Sequence, residues 1–213
     1  MKAITIPVGP MPENAYICYD EGTKEAVVVD PGDEAARITQ AIEQHGLKLK
    51  AIILTHGHYD HIMAVPALKA KFDIPVVAHA AEAAVLERAD YNFSALTAGA
   101  LSFTPDIFVA DGETFAVGEG ALRVIHTPGH TPGGVCYYDE DAGLLFSGDT
   151  LFCECIGRTD FPYGDTAALF HAVEDKLFTL PDHVAVLPGH ESASTIAHER
   201  THNADMNALR GQY

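Results

Sequence analysis

Thr55-His56-Gly57-His58-Tyr59-Asp60-His61 places three histidines and one aspartate within six residues. Neutral imidazole and carboxylate are ligands for borderline divalent cations. The apolar run Ala51-Ile52-Ile53-Leu54 before them reads as a buried strand. Apolar positions return at Ile62, Met63, Val65 and Leu68, a spacing that suits the opening turns of a helix. The cluster therefore belongs on a tight strand-to-helix loop, where side chains at the end of a sheet converge on one point.

One loop cannot close two metal sites, and three further candidates each follow an apolar strand. Strand 121–126 leads into Thr127-Pro128-Gly129-His130, strand 143–147 into Gly148-Asp149-Thr150, and strand 183–187 into Pro188-Gly189-His190. Proline and glycine restrict or free the backbone dihedrals that aim the next side chain. An isolated histidine in a Pro-Gly turn is ordinarily a surface residue. Strand followed by ligand, four times over, points to one shared centre.

The remaining elements must bring these loops together. Strands are expected at 3–6, about 14–20, 25–29, 51–54 and 74–78, then at 107–109, 114–117, 121–126, 134–138, 143–147 and 183–187. Helices are expected at about 34–45 (capped by Asp33 and stopped by Gly46), 60–71, 80–88, 166–177 and 192–209. Pro66 lies in the first turns of the second of these or starts its regular part. The alternation predicts an α/β layered fold. Residues 89–106 show no period and read as an excursion that covers a site.

Composition narrows the class. The chain has 213 residues, 47% of them hydrophobic, which fits one domain, 1–213, with a sizeable core. No run approaches the ~20 apolar residues of a membrane span. The N-terminal Met1-Lys2-Ala3-Ile4-Thr5-Ile6-Pro7 is not a signal peptide, so the expected location is cytoplasmic. Thirty acidic against thirteen basic residues give a formal charge of −17, which argues against nucleic acid and anionic membranes as partners. Cys18, Cys136, Cys153 and Cys155 form no disulfide framework.

His56-x-His58-x-Asp60-His61, with His130, Asp149 and His190, resembles the metallo-β-lactamase superfamily. Its glyoxalase II-like (hydroxyacylglutathione hydrolase-like) branch is closer still. The matching pieces are Val29-Asp30-Pro31-Gly32, Leu54-Thr55-His56-Gly57-His58, Pro128-Gly129-His130-Thr131-Pro132-Gly133, Ser147-Gly148-Asp149-Thr150, Gly157-Arg158-Thr159-Asp160-Phe161-Pro162 and Leu187-Pro188-Gly189-His190. The resemblance implies a four-layer αββα sandwich with two divalent metal ions in a cleft, zinc first, with iron or manganese as alternatives. It implies His56, His58 and His130 on one ion, Asp60, His61 and His190 on the other, and Asp149 between them. Asp30 is either an outer partner of a ligand histidine or a turn residue before Pro31.

The activity expected from the resemblance is hydrolysis of a small-molecule thioester of the S-2-hydroxyacylglutathione (S-lactoylglutathione) type. A metal-bound hydroxide attacks the carbonyl, Asp60 orients that hydroxide and takes its proton, and a thiolate leaves. The chain stops soon after His190, without the C-terminal helical glutathione-binding region of classical glyoxalase II, and so resembles the shorter bacterial members. Arg158 and Tyr163 are candidate substrate contacts; Arg158 alternatively pairs with Asp160. Cys153 and Cys155 are expected to be packing or incidental thiols. The alternative activity is a persulfide (sulfur) dioxygenase with a single iron. A nuclease is disfavoured by the charge, and a secreted β-lactamase by the absence of a signal peptide.

Overall fold

Alternation along the strands shows how the layers form. In a computed structural model describing residues 1–97 and 99–213, β3 (Glu25–Val29) turns Ala26 and Val28 toward helices. The same strand turns Val27 and Val29 toward a second sheet. Strand β4 (Lys48–Ile53) does likewise, with Ile52 on the helical side and Ala51 and Ile53 on the other. A side-chain period of two, apolar on both faces, is the mark of a strand covered on both sides. Each fully buried Val or Ile of these strands contributes about 1.5–3 kcal/mol.

The first sheet runs in chain order, β1 (Lys2–Val8), β2 (Glu13–Tyr19), β3, β4, β5 (Val76–His79) and β6 (Ile107–Val109). It is antiparallel from β1 to β3 and parallel from β3 to β6. Helices α1 (Ala35–Gln44), α2 (Tyr59–Ile62), α3 (Val65–Phe72) and α4 (Ala83–Leu86) cover its outer face through Ile38, Ile42, Ile62, Val65, Leu68 and Leu86. The second sheet holds β7 (Thr114–Val117), β8 (Gly120–His126), β9 (Val135–Asp139), β10 (Leu144–Gly148), β11 (Ala185–Pro188) and β12 (Ser194–Thr195), adjacent in that order. Its outer face packs on α5 (Thr166–His171), α6 (Ile196–His202) and α7 (Ala204–Leu209) through Phe170, Ile196 and Met206. Val27, Ile53, Leu122, Tyr137 and Phe146 fill the layer between the sheets. The result is the expected αββα sandwich. Among the described residues no helix is long and apolar enough to cross a membrane.

The expected helices differ at their ends. The single helix at 60–71 is two, α2 and α3. The Ala64 N–H that would continue the helix donates instead to Pro31 O (3.0 Å), and the turn at Gly32 packs against the Asp60 carbonyl. Pro66 starts the regular part, in the first turn of α3. Asp33 does not cap α1. Glu34 occupies the cap position at φ 50° with no side-chain bond to the helix, and Asp33 Oδ1 takes only the Glu34 N–H. The helix at 166–177 is α5, followed by a π-helical turn over Ala172–Lys176. The segment 192–209 divides at Asn203, whose side chain accepts from Met206 N–H and caps α7.

Candidate metal centre

Strands β4, β8, β10 and β11 all end at one edge of the sandwich, and the loop after each carries a candidate ligand. His56 Nε2 lies 3.1 Å from His58 Nδ1, and His130 Nε2 lies 2.9 Å from His58 Nδ1. Asp60, His61 and His190 form a second group, with His190 Nε2 3.3 Å from Asp60 Oδ2. Asp149 lies between the groups. Its Oδ2 is 4.0 Å from His56 Nε2, 3.6 Å from His130 Nε2 and 3.8 Å from His190 Nε2, and its Oδ1 is 3.3 Å from His61 Nε2. All seven residues singled out as ligands are thus brought together. Tetrahedral ligands about 2.05 Å from a zinc stand roughly 3.3 Å apart, close to these separations.

The outward nitrogens say what the inward ones do. Tyr163 Oη donates to Tyr91 O (2.7 Å), so it accepts from His58 Nε2–H at 2.8 Å and leaves Nδ1 bare. His130 Nδ1–H donates to Arg158 O (2.8 Å), leaving Nε2 bare. Thr55 Oγ1 donates to Asp30 Oδ2, so it accepts from His56 Nδ1–H at 3.1 Å. His61 Nδ1–H donates to Asp30 Oδ2 (3.1 Å). In the first group three imidazole lone pairs therefore point at one another. His61 Nε2 and Asp149 Oδ1, both buried, have no hydrogen-bond partner among the described residues. Converging lone pairs and orphaned buried atoms are what divalent cations would satisfy, so the residues fit a metal pair.

Electrostatics separates the two groups. Burial, reinforced by neighbouring histidines, holds His56 well below its ordinary pKa and lowers His58 to about 3. Burial also lowers His130. These three are neutral at pH 7, the form in which an imidazole can bind a cation. Burial opposes charge on His61 and His190 too, but Asp149, Asp30 and Asp60 raise His61, and Asp60 and Asp149 raise His190. Burial likewise opposes charge on Asp149, yet His61, His56 and His130 hold it well below the carboxylate range. Asp60 is lowered against its own burial by His190 and His61.

Asp30 is an outer partner as well as a turn residue. It is 2% exposed, takes the Thr55 N–H at 2.7 Å and holds His61, with its backbone at φ 46° in the left-handed region that Asp tolerates. Tyr163 sits behind His58 and does not line the neighbouring cavity. Arg158 does line it, and its guanidinium makes two 2.9 Å bonds to Asp160. Phe93, Leu96 and Thr97 bring the excursion at 89–106 into the wall, though Ala98 lies outside the described residues. Cys155 is also at the wall, half-buried.

Other residues at the centre went unread in the sequence. Asn14 donates from Nδ2 to Pro188 O and Glu191 O, and Tyr16 Oη donates to Pro188 O (2.7 Å), so β2 holds the His190 loop. Glu13, 1% exposed, lies 3.7 Å from His61 Nδ1, and burial pushes its carboxyl well up. Glu82, fully buried, accepts from Gly57 N–H (2.7 Å) and Gly133 N–H (2.8 Å), tying together the two loops that carry His56, His58 and His130. A carboxylate in the otherwise apolar Ala80-Ala81-Glu82-Ala83-Ala84-Val85-Leu86 run was the available signal.

A family model of the metallo-beta-lactamase superfamily matches residues 8–190, and the chain belongs to that superfamily. Among sequenced relatives, a probable metallo-hydrolase (YqgX) of Bacillus subtilis is 40% identical, covering 98% of this chain and 99% of the relative. A hydroxyacylglutathione hydrolase (GloC) of Haemophilus influenzae is 35% identical, with 98% and 99% covered. Among solved structures, the BLEG-1 B3 metallo-beta-lactamase superposes with a TM-score of 0.89 at 39% identity, covering 95% of this chain and 98% of that one. TTHA1623 in a di-iron-bound form gives 0.82 at 34%, covering 94% and 98%. ETHE1 from Myxococcus xanthus gives 0.79 at 29%, covering 95% and 83%.

Proposed function

We propose that the chain is a metal-dependent thioester hydrolase acting on S-2-hydroxyacylglutathione-type substrates such as S-lactoylglutathione. The observation that carries this reading is the pair of ligand groups joined by Asp149 at the floor of an open cavity. The 35% identity to a hydroxyacylglutathione hydrolase adds support. His56, His58 and His130 would hold one divalent ion, Asp60, His61 and His190 the other, and Asp149 both. Zinc is the first choice, with iron or manganese able to use the same donors. When bound, such ions supply a water acidified toward neutral pH and a Lewis acid for a carbonyl oxygen.

The chain's own groups do the rest. Asp60 lines the cavity and is held ionised, so it orients the attacking water and accepts its proton. Water adds its oxygen to the acyl carbon, the C–S bond breaks, and its electron pair leaves on sulfur. A thiol with a pKa near 8.5 leaves as thiolate with little acid assistance. Tyr163, Arg158 O, Thr55 and Asp30 keep the imidazoles turned inward throughout.

A second reading, a persulfide dioxygenase with a single iron, draws on the likeness to ETHE1. Elemental analysis paired with S-lactoylglutathione hydrolysis and with oxygen uptake on glutathione persulfide separates the two. Two metals per chain and hydrolysis are expected. His56→Ala should lose metal and hydrolysis together, and near-normal turnover in that variant would sink the assignment.

A further inference from the structure

The walls of the cavity differ from its floor. About 640 Å³ lies above the centre, and Met11, Phe93, Leu96, Phe152, Ile156 and Phe161 surround it. Phe161 packs 4.9 Å from the His58 ring, 5.3 Å from His130 and 5.3 Å from Phe93, an aromatic roof over the first ligand group. Leu96 is 83% and Met11 50% exposed, so large apolar side chains stand open to water at the mouth. Apolar surface of this kind beside a polar centre marks a ligand site rather than ordinary surface.

The charges on the wall point the same way. Arg158 is the one Lys or Arg among the lining residues, and Asp160 already takes it by both of its bonded nitrogens. Glu191 adds a further anion to the lining, on a chain of formal charge −17. A glutathione moiety presents two carboxylates and one ammonium. Among the described residues the wall offers those carboxylates no unpaired Lys or Arg side chain, and it offers apolar contact in abundance.

Resting on the thioester-hydrolase reading, we infer that this site selects thioesters by an apolar group, aryl or alkyl, flanking the scissile carbonyl, and gains little from the charges of the thiol carrier. Burying such a group against Phe161, Leu96 and Met11 removes apolar surface from water, enough for about a tenfold to thirtyfold gain in kcat/KM.

The test uses the zinc-loaded full chain and two substrate series. One keeps glutathione as the thiol and changes the acyl group from lactoyl to phenylacetyl. The other keeps lactoyl and changes the thiol from glutathione to N-acetylcysteamine to benzyl mercaptan. At least one series should rise about tenfold or more in kcat/KM, and which one rises tells on which side of the carbonyl the apolar group sits. Leu96→Ser and Met11→Ser, both at exposed positions, should each lower the apolar-to-lactoylglutathione ratio several-fold. A readout without turnover is titration calorimetry on the metal-free protein with thioethers of N-acetylcysteamine, where S-benzyl should bind at least tenfold tighter than S-methyl. S-lactoylglutathione turned over as well as or better than every apolar substrate, with kcat/KM falling steeply with salt, overturns the inference and leaves thioester hydrolysis standing. No hydrolysis of any thioester by the metal-loaded protein overturns both.

Discussion

Glu82→Gln probes how the first ligand group is held together. The Glu82 carboxylate spans Gly57, between His56 and His58, and Gly133, three residues after His130. Packing there is tight: a Cβ on Gly133 would come within 2.2 Å of the Glu82 nitrogen. Burial pushes the carboxyl up from 4.5 to about 7, with the Gly57 and Gly133 amides pulling the other way. Between those values the native chain binds a proton that the unfolded chain has released. Stability attributable to Glu82 is therefore fully present below about pH 4.5 and is lost as pH rises through about 7. The shift amounts to about 2–3 kcal/mol between pH 5 and pH 8 at ~1.4 kcal/mol per unit.

Glutamine keeps the shape, stays neutral at every pH, and turns an amide donor toward one of the two N–H groups. Urea unfolding of metal-free wild type and variant at pH 5 and pH 8 isolates the effect, since other titrating groups cancel in the double difference. The variant should gain about 2–3 kcal/mol on wild type in going from pH 5 to pH 8. In absolute terms it is penalised by the misdirected donor, which leaves one buried N–H unsatisfied at about 1–3 kcal/mol. A loosened tie between the loops should also weaken zinc at the first group about tenfold in a chelator competition at pH 7.5. A variant-minus-wild-type difference independent of pH, together with unchanged zinc affinity, would refute the reasoning.

Gly189→Ala should strip the second ligand group, because a Cβ there would lie 2.4 Å from Asp149 Oδ1 and 2.7 Å from His61 Cε1. The expected result is one metal per chain by elemental analysis with an intact far-ultraviolet circular dichroism spectrum, and two metals would contradict it. Tyr163→Phe removes the acceptor at His58 Nε2 and should weaken zinc at the first group about tenfold, which the same chelator competition checks. Asp30→Ala leaves the buried Thr55 N–H and His61 Nδ1–H without their carboxylate. It should cost about 2–5 kcal/mol in urea unfolding, and a loss under ~1 kcal/mol would show that water replaces it.

What could be read in the sequence, and what could not, divides by the range of the interaction. His56, His58, Asp60 and His61 announce themselves because a strand and the loop after it are contiguous, so ligand type and strand end appear in one short window. His130, Asp149 and His190 repeat that local grammar. The α/β layering follows from the order of strands and helices along the chain, which is local as well, and the four-layer αββα sandwich from the family resemblance. The positioning groups are different. Glu82 acts on Gly57 and Gly133, 25 and 51 residues away, and Asn14 acts on Pro188, 174 residues away. Nothing near Glu82 or Asn14 in the chain describes those partners.

The misplaced helix ends have the same origin. Local periodicity runs α2 into α3 without a break; the distant Pro31 carbonyl, which takes the Ala64 N–H, separates them together with Pro66, which has no N–H to continue the helix. That break is what lets Asp60 and His61 sit on a helix of their own, Tyr59–Ile62, with His61 Nε2 facing Asp149 and Asp60 facing His190. A continuous helix would instead tie the Ala64 N–H to the Asp60 carbonyl, against which the Gly32 turn now packs. The Asp30-Pro31-Gly32 turn thus acts on the centre through side chain and backbone together: the Asp30 carboxylate fixes the His61 ring, and the Pro31 carbonyl ends the helix that carries it.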